Sequence, residues 1–264
     1  MKFTPAHAVI PVLALALAAT LFAAPASDAA AGRELMKRYA DAIVGVEMVV
    51  TVKMKSGDRE QPPREQRIEV NGTVISPSGL TVTSLASVDP QASFEAMRAM
   101  QGGGRGLELV STDFKEVKLR LADGKEVPAR FVLKDADLDL AFMAPETDEP
   151  GREYPHVTLA KSADAVVLDR FFFVSRAPKT LQRVPLVQAV DIMGILEKPR
   201  RLFLLSFQQL AVPIFDATGG VLGITLQHFA NGRPSGIVVL PAADIAEMAK
   251  QATTAQATPA KTGN

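Results

Sequence analysis

The feature that most constrains this chain is a long series of short runs rich in Val, Ile, Leu, Phe and Thr, each bounded by turn signals and almost none carrying helical periodicity. The first group comprises Ile43 to Met54, Arg67 to Ile75, Leu80 to Leu85, Val117 to Leu121, Ala129 to Leu133 and Leu140 to Met143. The second comprises Val157 to Leu159, Ala165 to Ser175, Val184 to Ile192, Leu202 to Phe207, Val212 to Phe215, Val221 to Phe229 and Gly236 to Leu240. Between the groups lies the polar segment Glu146 to Pro155. Many short strands at this spacing predict barrels or sandwiches, not a parallel sheet flanked by helices. The expected organisation is one all-β unit over residues 34–150 and a second over 156–250. The turns Ser76 to Gly79 and Ala122 to Lys125 place Pro or Gly where a hairpin needs a fixed or positive φ.

Helical patterning is confined to three places. Glu34 to Asp41 sets apolar residues at Leu35, Met36 and Tyr39, and Pro241 to Gln251 opens on a proline and carries Ile245 and Met248. The third, Phe94 to Met100, sits in an apparent insertion, Asp89 to Arg105, that reads as a mobile surface loop. Its glycines lack the Lys-Ser/Thr that a phosphate-binding loop requires. The Thr, Ala, Pro and Gln of residues 251–264 predict a disordered tail.

At the N-terminus, Lys2 precedes an apolar stretch from Ala8 to Ala24, and Ala24-Pro25-Ala26 offers a small-x-small cleavage pattern. Residues 1–26 are therefore expected to be a signal peptide, and the protein periplasmic or secreted. An uncleaved membrane anchor is the alternative, because the apolar stretch is just long enough to approach a bilayer's thickness. The 29 basic residues balance 29 acidic ones, so nothing draws the chain toward nucleic acid. With no cysteine there is no disulfide framework, thiolate metal site or cysteine nucleophile.

Three stretches carry a family resemblance. Gly72, Pro77, Gly79 and Thr83 stand at the spacing of a hairpin that, in HtrA/Deg-type trypsin-like serine peptidases, delivers the catalytic histidine; Ala86 occupies the histidine's place. Leu121 to Ala129, followed by Asp135 and by Asp139-Leu140-Ala141, resembles the strand pair and Asp-x-x-x-Asp-Leu-Ala segment whose second aspartate orients that histidine. Pro213, Gly219, Val221, Gly223 and Ile224 match the segment that follows Gly-Asn-Ser-Gly-Gly. Counting back sets Gln208, Gln209, Leu210, Ala211 and Val212 on those five positions, with Leu210 in place of the serine. Gly236 to Pro241 resembles the run before the closing helix. The resemblance spans Glu34 to Lys250, implies a trypsin-like double β-barrel, and leaves no PDZ-sized segment behind it.

The triad needs an imidazole to accept the serine proton, an aspartate to hold its tautomer and backbone N–H groups to bind the oxyanion. Alanine and leucine move no protons. Apart from His7 in the leader the histidines are His156 and His228, both after Asp139. In the degenerate oxyanion loop, Gln208 replaces a conformationally free glycine, and Leu210 is expected to turn inward and pack.

The expectation is therefore a pseudoprotease that binds or regulates a polypeptide of the cell envelope or extracellular space. Two other readings stand beside it. One is an active serine endopeptidase with a divergent site, Ser206 acting with His228 or His156. The other is a structural envelope module with no peptide affinity. Asp139 is expected to serve structurally, accepting main-chain N–H groups. A metal site from Asp135, Asp137 and Asp139 is disfavoured, because the three alternate along what reads as a strand. Ser84 and Ser87 are assigned no role, Lys198, Arg200 and Arg201 read as a solvated turn, and no cofactor is expected.

Overall fold

The computed structural model describes residues 28–100, 106–147 and 151–257. The leader and the end of the tail lie outside the described residues, as do residues 101–105 of the apparent insertion. The first β unit contains β1 (Ile43–Ser56), β2 (Arg59–Glu60), β3 (Arg64–Val74), β4 (Thr81–Ser84), β5 (Leu107–Arg120), β6 (Glu126–Asp135) and β7 (Leu140–Pro145). They run in the order β2-β1-β3-β4-β7-β6-β5, and pairing of β1 with β5 closes the sheet on itself. Closure follows from sequence alternation. On β1, Val44, Val46, Met48, Val50 and Val52 point inward and pack with Leu119, Val127, Ala129, Ala141 and Met143.

The second unit is a closed barrel of β8 (Arg170–Arg176), β9 (Pro185–Leu196), β10 (Leu202–Leu205), β11 (Pro213–Phe215), β12 (Val221–Ala230) and β13 (Arg233–Pro241), in the order β10-β13-β12-β11-β8-β9. Phe171, Phe173, Val190, Ile192, Phe203, Ile214, Leu222 and Val239 fill it. A third apolar cluster joins the barrels: Ile43, Leu80, Val82, Leu140 and Phe142 from the first meet Phe172, Val174, Phe215, Ile224 and Leu240 from the second.

Among the described residues the α-helices are α1 (Asp28–Tyr39), α2 (Leu85–Val88), α3 (Pro90–Met100) and α4 (Ala242–Ala257). α1 lies on β8 and β9, and Tyr39 at its end stacks on Phe215 at 4.3 Å. α4 packs on β6, β12 and β13, burying Ala242, Ile245 and Ala252.

Several boundaries differ from the sequence reading. Residues 251–257 continue α4, because Ala252 still reaches the core between the barrels. Val157 to Leu159 forms no strand; Val157 is buried in a loop and bonded by its N–H to Val74 O (2.9 Å). Leu85 opens α2 instead of ending a strand. β5 begins ten residues before Val117, its outward side chains too polar to read as a strand. The apparent insertion is largely element: α3 rests on β5 of the first barrel and β13 of the second, bridging the two.

Candidate functional site

Asp139 stands in the tight turn between β6 and β7, with a positive φ of 57° that Asp tolerates better than most residues. It is 1% exposed. Its Oδ1 accepts the N–H of Ala86 (2.7 Å) and its Oδ2 the N–H of Gln227 (2.8 Å), so one carboxylate ties α2 of the first barrel to β12 of the second. The Leu85 N–H donates to the Asp139 main-chain carbonyl (2.9 Å). Burial pushes the carboxyl above its ordinary value, opposed by hydrogen bonds from the Ser84 hydroxyl and from the N–H groups of Ala86 and Gln227. Ser87 in turn donates its hydroxyl to Ser84 Oγ (3.1 Å). The sequence reading had given these two serines no part. A hydroxyl three residues before another, at the mouth of a short helix, was too common a pattern to single out.

The loop Gln208 to Val212 is pinned from both barrels. Thr73 on β3 donates its hydroxyl to Ala211 O (3.2 Å). Thr225 on β12 accepts the Val212 N–H at Oγ1 (3.1 Å), and the Ala211 N–H reaches Thr225 O (2.7 Å). The residue with left-handed backbone is Ala211, at φ 60°, and not Gln208. Ala211 and Val212 are buried, whereas Leu210 is only half-buried. The expected inward turn of Leu210 is therefore corrected: the two residues after it take the interior, and the left-handed step at Ala211 leaves Leu210 at the rim.

Leu210 and Gln209 line a cleft of about 300 Å³ together with Glu69, Asn71 and Ser87 from the first barrel and Arg176 and Arg183 from the second. Ser87, the residue after Ala86, thus lines the same cleft as Leu210. Arg183 pairs with Glu69 (2.8 Å) and reaches Asn71 Oδ1 (3.3 Å). Arg176 is held deeper: it donates to Ala40 O, Ile43 O and Arg183 O and pairs with Asp41 (2.9 Å). Burial lowers its pKa from the ordinary arginine value. Sequence reasoning missed both arginines; an arginine closing the apolar run Phe171 to Ser175 was the available signal.

Two closed barrels packed side by side, with a cleft lined from both, are the architecture of a trypsin-like peptidase. The sequence model of the trypsin-like peptidase domain matches residues 70–224, more than half of the chain, a span that includes Ala86, Asp139 and the Gln208 to Val212 loop. The chain belongs to the trypsin-like peptidase domain family. One solved relative in fold is the protease domain of MamO from Magnetospirillum magneticum in its apo form. It is 19% identical, with 80% of this chain and 97% of that chain covered and a TM-score of 0.48. Among curated proteins none matches the sequence.

Neither the Ala86 nor the Leu210 side chain donates or accepts a proton, and Asp139 spends its oxygens on main-chain N–H groups. The alternative triad members are engaged elsewhere. Ser206 Oγ accepts the Asp191 N–H (3.1 Å), His228 Nδ1 lies 2.6 Å from Ser235 Oγ, and His156 Nδ1 lies 3.0 Å from Tyr154 O. Asp135 closes a turn by accepting the Leu138 N–H (2.9 Å), and Asp137 and Asp139 lie in that turn and not on a strand. Among the described residues no group of three or more such side chains is placed to hold a metal. Arg200 pairs with Asp244 (2.9 Å) and Arg201 with Asp164 (2.8 Å), tying their turn to α4 and to the start of the second barrel.

Proposed function

We propose that this is an exported pseudoprotease of HtrA/Deg kind that binds an extended polypeptide of the cell envelope or extracellular space without cleaving it. The observation that carries the reading is the state of Asp139. With Ala86 where an imidazole would stand, the carboxylate accepts the N–H groups of Ala86 and Gln227 and the Ser84 hydroxyl and ties the barrels together, a use that does not need a base or a nucleophile. The cleft beside it persists, lined from both barrels and carrying Glu69, Arg176 and Arg183 for polar contacts and Leu210 for apolar ones. Trypsin-like relatives use such a groove to receive substrate as an added strand. Leu210 supplies a surface on which a bound side chain can rest where a hydroxyl would otherwise attack.

Binding is tested by fluorescence anisotropy with labelled, unfolded casein and pooled random peptides. The expected result is saturable binding that weakens at least several-fold in Leu210→Lys, which fills and charges the cleft. Absence of binding to any pool would favour the structural module instead.

A further inference from the structure

We infer that a hollow of about 230 Å³ beside the cleft is a binding site for an oxyanion, a phosphate or a carboxylate, held between the two barrels by Arg120, Arg176, Lys179 and Arg183. The rest of its wall is uncharged. It shares Arg176 and Arg183 with the cleft that holds Leu210, so the two openings are neighbours. The first barrel contributes a row across its outer face. Asn71 on β3, Gly45 on β1 and Arg120 on β5 stand opposite one another, and the row beside it is Glu69, Glu47 and Lys118. Val44 and Val46 alternate with these positions and fill the barrel, so both rows face outward. Gly45 makes the middle of the first row a trough, and Arg183 of the second barrel lies in it: a Cβ at Gly45 would stand 2.8 Å from the guanidinium carbon. Glu69 holds that guanidinium (2.8 Å), and Glu47 holds Arg120 (3.0 Å). Two guanidiniums thus stand along one row, each fixed by a glutamate from the next before any ligand arrives.

The second barrel brings its share through strained backbone. Gln182 and Arg183, consecutive in the connection from β8 to β9, are both left-handed, at φ 55° and 51°. Gln182 is exposed, so the strain does not serve to fill a core; it turns Arg183 back onto the first barrel. Lys179, in the same connection, is exposed and makes no ion pair among the described residues. Its charge falls on the same patch: the Glu47 carboxyl is held below its ordinary value by Arg120 first, and by Lys179 and Lys118 as well. Arg176 is kept below the ordinary arginine value by burial first and also by the charge of Arg183, with Asp41 acting against both. Cations crowded in this way repel one another. An oxyanion among them relieves that repulsion and meets the planar donor forks of the arginines. The site goes beyond peptide binding and does not require it, since a free phosphate and an acidic group of a polypeptide in the neighbouring cleft present the same kind of oxygens.

Calorimetric titration of the purified protein with inorganic phosphate, at an ionic strength held constant with chloride, tests the free source. An acidic peptide, set beside the same peptide with Gln for Glu and Asn for Asp, tests the polypeptide source. The expected result is saturable phosphate binding, or preference for the acidic peptide, that weakens about five-fold in Lys179→Gln. Gly45→Ala, which displaces Arg183 without removing its charge, should weaken it as well. Lys250→Gln, on α4, should leave the affinity unchanged. Phosphate binding alone assigns a free anion, and preference for the acidic peptide assigns the polypeptide. Absence of both overturns the proposal, as does binding that Lys179→Gln leaves intact or that Lys250→Gln weakens equally. Equal binding of the two peptides without phosphate binding overturns it and leaves peptide binding standing; phosphate binding by protein that takes no peptide does the reverse.

Discussion

Asp139 is the residue on which the two barrels meet most directly. Its carboxylate accepts two main-chain N–H groups from different barrels while fully buried, and Asp139→Ala leaves both donors without their acceptor. Each such loss costs about 1–3 kcal/mol, so chemical denaturation should show the variant markedly less stable. Folding raises this carboxyl above its unfolded value of about 3.9. Its titration therefore contributes stability in full below that pH and loses it as pH rises through the folded value. The gap between wild type and Asp139→Ala should accordingly be wider at about pH 4 than at about pH 7; a gap that widens toward neutrality would contradict the assignment. Thr225 makes a neutral counterpart. Thr225→Val keeps the shape but strips the Val212 N–H of its acceptor, and urea unfolding should register a loss of about 1–3 kcal/mol.

At the scale of elements, β12 carries most of the constraint, because it pairs with β11 and β13 while holding Thr225 and Gln227 at the site. Gly223 is where it comes closest to β13: a Cβ there would lie 1.9 Å from the Leu240 carbonyl oxygen. Gly223→Ala must displace that strand, and thermal unfolding should show a loss of about 3 kcal/mol or more. The same element explains what the sequence made legible. Glycines at forced close approaches, together with buried runs such as Leu140 to Met143, leave strong traces, and so most strands of both barrels were readable, as were Asp139 and the Gln208 to Val212 loop, which the structure ties to both barrels. β5 was not, since a strand whose outward face is charged looks like loop. The rim position of Leu210 was hidden for another reason: it depends on the left-handed step at Ala211, which no residue type in the loop announces.

For the whole molecule, the apolar cluster between the barrels, α3 bridging β5 to β13 and α4 spanning both units hold the two barrels against each other. The proposed reading takes this as a peptidase fold kept for binding, with a cleft lined by Leu210, Glu69, Arg176 and Arg183. The measurement that tests this most directly is casein turnover by the purified protein over a day, set beside Asp139→Ala. The account predicts no turnover in either. Turnover by the wild type that disappears in Asp139→Ala would contradict it, placing a working site on a carboxylate assigned here to holding the two barrels together.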